Sequence, residues 1–139
     1  MATAAVTLPK TKGCAFLIEE RTPQEVFTPE DLSDEHRAIA RAAEEFWNKE
    51  VAPNLDEIIH GNHDVSVRVL RKSAELGLTA ILTPERYGGM ELDLASAMVV
   101  AERLSRDGSY SAWHGAHSGI GTTPVLLFGT EQQLSLIHI

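Results

Sequence analysis

The sequence predicts an all-α fold, an antiparallel bundle of about four to five helices. Apolar residues recur at helical spacing in several separate stretches, and start and stop residues bracket those stretches where helices need them. A 139-residue chain with 43% apolar residues is also long enough for one modest hydrophobic core.

The first dozen residues are small and polar, punctuated by Pro9 and Gly13, and read as a loose tail. In "TPEDLSDEHRAIARAAEEFWNKEVAP", Thr28 before Pro29 and Ser33 before Asp34 are start signals, and Pro53 is a stop. Ile39, Ala42, Ala43, Phe46 and Trp47 form one apolar stripe, giving an amphipathic helix of about five turns. After the polar "HGNHD", the stretch "VSVRVLRKSAELGL" places Val67, Leu70 and Ala74 on one face. Gly77 suits the position past the helix end, with Leu78 folded back on the last turn.

"ILTPERYGGMEL" is not helical throughout. Pro84 disfavours helix at Thr83, and Gly88-Gly89 suits positive backbone angles. A third helix spans about Asp93 to Arg106, with Leu94, Met98, Ala101 and Leu104 on one face. A fourth starts near Ser109 or Ser111 and runs through "WHGAHSGIG" until Pro124 breaks it. "TTPVLLFG" reads as a short new helix closed by Gly129. Thr130 and Gln133 then form a capping box. The uncharged "LSLIHI" contradicts that helix start, so residues 134–139 read as a non-native tail.

The formal charge of −8, from 20 acidic and 12 basic residues, argues against an electrostatic grip on nucleic acid or anionic lipid. A single cysteine, Cys14, allows no intrachain disulfide and no cysteine-based zinc site. With no secretory leader pattern, a cytoplasmic location is expected. No stretch approaches the ~18 consecutive apolar residues that a spanning helix needs.

His114/His117 and His60/His63 are each three residues apart, but zinc takes three or four protein ligands and nothing accompanies either pair. They read as capping, surface or pocket-edge residues. "GIGTT" lacks the lysine and the preceding strand of a phosphate loop. Gly115 and Gly119, four apart, leave one helix face bare; spacing favours close helix packing there over a ligand cavity. Met98 reads as core, or as the flexible lining of a pocket for a long chain. Scattered Glu85, Glu91 and Glu102 make no catalytic constellation.

Taken together, "FTPEDLSDEHRAIARAAEEFWNKEVAP", "LRKSAELGL", "PERYGG", "AERLSRDGS" and "HGAHSGIGTTPVLLFGTEQQ" resemble, in order and interval, the N-terminal helical domain of the acyl-CoA dehydrogenases. The resemblance covers roughly Gly13 to Gln133, with the domain itself at 29–133 and a tail and extension at 1–28. It implies a full-length FAD-dependent parent that oxidises fatty acyl-CoA to trans-2-enoyl-CoA. In that family a glutamate abstracts the α-proton while the β-hydrogen passes to flavin N5. That glutamate and most flavin contacts belong to other domains, so no catalytic residue is expected within this chain.

What the resemblance assigns to this stretch is the acyl-chain pocket, reversing the preference for packing at the glycines. Ala112, Gly115, Ala116, Gly119 and Ile120 are implied lining on the fourth helix, and their small side chains imply a deep pocket for a long acyl chain. Tyr87, Gly88 and Gly89 are implied lining from the turn, with Met98 beside them. Electron-transfer flavoprotein and a homo-oligomeric assembly are the implied partners. The alternative from another class is a freestanding helical binding module without catalytic activity, which a stable, soluble monomer of residues 1–133 would favour.

Overall fold

The computed structural model describes residues 14–136; residues 1–13, which hold most of the expected loose tail, and 137–139 lie outside the described residues. The chain divides into two compact units, Met1–Ser33 and Asp34–Ile139. In the first, short 3-10 turns at Pro23–Glu25 and Pro29–Asp31 each follow a threonine whose backbone N–H donates to the acid three residues on. The distance is 2.9 Å both for Thr22 to Glu25 and for Thr28 to Asp31. Thr28-Pro29 thus starts a turn of its own, and the long helix begins only after Ser33.

The second unit is all helical, with no strand among the described residues. Its helices are α1 (Asp34–Phe46), α2 (Leu55–Ile59), α3 (His63–Glu75), α4 (Leu94–Leu104), α5 (Gly108–Gly115), α6 (Thr123–Phe128) and α7 (Glu131–Leu134). They run as five helical stretches, because α1 continues into α2 through a π turn at Trp47–Val51 and a 3-10 turn at Ala52–Asn54. Likewise α5 continues towards α6 through a π segment at Ala116–Gly121.

The two π segments have one cause. Proline has no N–H to donate and its ring presses on the carbonyl four residues back, so the helix widens just before Pro53 and Pro124 instead of ending. Polar side chains cover carbonyls there: Asn54 Nδ2 donates to Glu50 at 2.8 Å, and Thr122 Oγ1 to His117 at 2.6 Å. The expected stop at Pro53 is therefore a bend, with α2 beyond it.

Side-chain oxygens cap three starts. Asn62 accepts from Val65 N–H, Asp93 from Ser96 N–H and Asp107 from the N–H groups of Ser109 and Tyr110. At the end of α3, Gly77 (φ +74°) donates to Ala74 and Leu78 to Ser73, at 2.8 and 3.0 Å. This closes the turn as the glycine predicts and buries Leu78.

Ala43 and Phe46 of α1 and Trp47 of the π turn join Val51, Ile58, Val69, Ile81, Val100, Leu104 and Tyr110 in one core. Tyr110 lies 6.1 and 6.2 Å from the Phe46 and Trp47 rings, and burial pushes its hydroxyl up to about 12. On α3 the buried face is Ser66, Val69 and Ser73, one residue round from the expected Val67–Leu70–Ala74 stripe. Ser66 is tolerated there because its hydroxyl donates back to Asn62 at 2.9 Å. On α4, Val99, Val100 and Leu104 face the core, while Leu94 and Met98 are 65% and 63% exposed. The outer part of the expected apolar stripe therefore looks elsewhere.

Candidate functional site

Leu94 and Met98 look into a groove of about 390 Å³. One wall is α4, with Leu94, Ala97, Met98 and Ala101. The floor is the segment after α3, from Leu78 to Thr83. The other wall is Ser111, His114, Gly115, Ser118 and Gly119 of α5 and its π continuation, closed by Thr123 and Leu126.

These residues of α5 and its π continuation are an i, i+3, i+4, i+7, i+8 set, the signature of one helical face. A Cβ added at Gly115 or Gly119 would meet nothing within 4 Å, so both glycines open onto space rather than onto a packed neighbour. Close helix packing is not what keeps these two positions bare.

Of the residues singled out in the sequence, Met98, Gly115 and Gly119 come together in this groove. Ala112 and Ala116 lie one residue round the helix, on its exposed side, and Ile120 is 82% exposed. Tyr87, Gly88 and Gly89 form a separate tight turn. Tyr87 is buried there, its hydroxyl donating to Glu131, with the Arg86 guanidinium 4.8 Å over its ring. Gly88 has φ +79°, and a Cβ at Gly89 would fall 2.0 Å from the Thr83 carbonyl oxygen. The loop returns to the chain before it, with Met90, Glu91 and Leu92 donating to Ala80, Thr83 and Ile81 at 2.9–3.0 Å.

His114, one of the histidines read as capping, surface or pocket-edge residues, lines this groove. The residue is 6% exposed, and Nε2 donates to the Leu78 carbonyl at 3.1 Å. Burial depresses its pKa below the usual histidine range, so the imidazole is neutral. With the proton on Nε2, Nδ1 is an acceptor, 3.5 Å from Ser118 Oγ. The signal available in sequence was spacing, since Ser111, His114, Gly115 and Ser118 share a face.

The other histidines are elsewhere. His117 is exposed, His60 Nδ1 lies 2.8 Å from the Asp56 carbonyl, and His63 sits 5.4 Å from the Trp113 ring. Among the described residues no three His, Cys, Asp or Glu side chains gather as a metal site. No Lys, Arg, Asp or Glu lines the groove. The arrangement suits an uncharged, elongated apolar ligand and not a phosphate, which needs cations or a ring of free backbone N–H groups.

Comparison with known proteins bears on the fold and the family. The family described as acyl-CoA dehydrogenase, N-terminal domain, matches residues 33–135. A probable acyl-CoA dehydrogenase of Bacillus subtilis (strain 168) is 45% identical over 122 residues, covering 88% of this chain and 20% of that protein. Mitochondrial isovaleryl-CoA dehydrogenase of Bos taurus is 29% identical over 132 residues, 90% of this chain and 30% of its own length. The crystal structure of an acyl-CoA dehydrogenase complexed with FAD from Bacillus anthracis superposes with a TM-score of 0.84 at 46% identity, over 91% of this chain and 22% of that one. The chain thus spans between a fifth and a third of these relatives' lengths. On the family match across most of its length, it belongs to the acyl-CoA dehydrogenase N-terminal domain family.

Proposed function

We propose that this chain is the part of an FAD-dependent acyl-CoA dehydrogenase that holds the acyl tail of a fatty acyl-CoA, which the parent oxidises to the trans-2-enoyl-CoA. The observation that carries the reading is the uncharged groove between α4 and α5, with two glycines opening onto it. An alkyl chain gains about 0.8 kcal/mol for each methylene taken out of water, so a longer groove favours a longer chain. Side chains at 115 and 119 would occupy that space, and their absence supports a long-chain substrate.

The groove does not fit the pyrophosphate of FAD or of coenzyme A, because no cation lines it. In this reading both head groups are held by parts of the parent beyond this chain, as is the catalytic base. FAD, when bound, supplies the hydride acceptor. This chain's own contribution is to take up the tail, exclude water from it and so fix how far the thioester end reaches. A cytoplasmic, homo-oligomeric parent that passes electrons to electron-transfer flavoprotein completes the proposal.

Photo-crosslinking tests it. A fatty acyl-CoA carrying a diazirine at the chain terminus, irradiated on the full-length parent, should label residues of α4 and of the 111–119 face. Labelling confined to sequence outside 78–126 would overturn the reading.

A further inference from the structure

Resting on the proposed acyl groove, we propose that His114 makes this groove selective for acyl chains bearing a hydroxyl in their distal part over plain alkyl chains. The two walls differ in chemistry. Leu94, Met98 and Ala101 present only carbon and sulfur, whereas the α5 wall presents acceptors. Ser118 Oγ donates to the carbonyl of His114 at 2.7 Å and Ser111 Oγ to that of Asp107 at 2.5 Å. Both hydroxyl protons are therefore turned onto the helix's own backbone, leaving oxygen lone pairs at the groove.

His114 is fixed in the same sense. Donation from Nε2 to Leu78 leaves Nδ1 as an acceptor, and its nearest donor is the Ser118 hydroxyl, 3.5 Å away and already committed to a shorter bond. The Nδ1 acceptor thus has a single long contact, to Ser118 Oγ, on a residue that is 6% exposed. A saturated alkyl chain would expel water from this wall and supply nothing in return, which carries a desolvation penalty. A hydroxyl at matching depth would donate to Nδ1 and leave the opposite wall in contact with methylenes.

The test is steady-state kinetics of the full-length, FAD-loaded parent with stearoyl-CoA and a set of stearoyl-CoA derivatives carrying one hydroxyl at successive distal positions. One position should lower KM about 3- to 10-fold relative to stearoyl-CoA, the size of one net hydrogen bond. In His114→Phe the ratio of the two KM values should return to one or favour stearoyl-CoA. Ser118→Ala leaves the bond to Leu78 in place and removes the hydroxyl that faces Nδ1, so the ratio should persist or widen. This variant decides the matter even where His114→Phe fails to fold, and loss of the ratio in it would overturn the assignment of Nδ1. Normal turnover of stearoyl-CoA with no gain at any hydroxyl position would sink this inference alone. An inability to turn over stearoyl-CoA at all would sink the proposed function and this inference together.

Discussion

Gly89 is pressed against the backbone of Thr83, so that a Cβ on it would fall 2.0 Å from the carbonyl oxygen and 2.5 Å from the carbonyl carbon. The same atom on Gly115 would touch nothing within 4 Å. One glycine is required by its surroundings and the other keeps space free.

The two positions should therefore respond to alanine with opposite sign. Gly89→Ala forces the turn apart and should cost about 2–3 kcal/mol. Gly115, with ordinary helical angles of φ −66° and ψ −35°, should gain about 0.5–1 kcal/mol from alanine's greater helix propensity. Urea unfolding followed by far-UV circular dichroism measures both; a loss of stability in Gly115→Ala would mean that its open face is packed.

Asp93 ties the start of α4 to α1. Its carboxylate accepts from the backbone N–H of Ser96 at 2.8 Å and faces His36 Nε2 at 3.0 Å. The Ser96 N–H bond, foremost, holds its carboxyl below the usual range. A folded-state pKa depressed below the unfolded one gives stability that is full above the unfolded pKa and lost as pH falls through the folded pKa. Asp93→Ala should cost about 1 kcal/mol at neutral pH, the usual worth of an N-cap, and should flatten the acid limb of the stability curve. Denaturant midpoints between neutral pH and about pH 3 read both effects.

His114 sets a second window. Because burial depresses its folded pKa, the unfolded chain takes up a proton first, and stability should fall as pH drops below about 6.5. His114→Gln, which keeps a donor for the Leu78 carbonyl, should remove that dependence. An unchanged slope between about pH 7 and 5 would show that the ring is not buried as described.

Much of this was legible in the sequence. The stripe of Ala43, Phe46 and Trp47, the glycine turn at Gly77, the helix start near Asp93 and the capping box at Thr130 rest on local chemistry that periodicity and residue type report directly. The buried face of α3 was missed because two of its three residues are serines, Ser66 and Ser73, which satisfy or bury a hydroxyl where an apolar residue is expected. Spacing alone leaves Leu94 and Met98 open between core and pocket lining, because it identifies a shared face without saying whether it meets protein or a groove. On α5 and its π continuation the face that meets the groove runs through Ser111, His114, Gly115, Ser118 and Gly119, whereas the resemblance implies Ala112 and Ala116 beside it as well as the two glycines. The two π segments needed the proline rule to be applied to the residues before proline as well as to proline itself. Leu134, within the stretch read as a non-native tail, is buried at the end of α7.

The acyl-groove assignment is tested most directly by the chain-length profile of kcat/KM in the full-length parent carrying Gly115→Leu or Gly119→Leu, measured over saturated acyl-CoA substrates from short to long. Each leucine would place about four carbons in the groove, so the preferred chain should shorten, with each excluded methylene worth up to about a fourfold loss for the longest substrates. A profile identical to that of the unsubstituted parent would contradict the assignment.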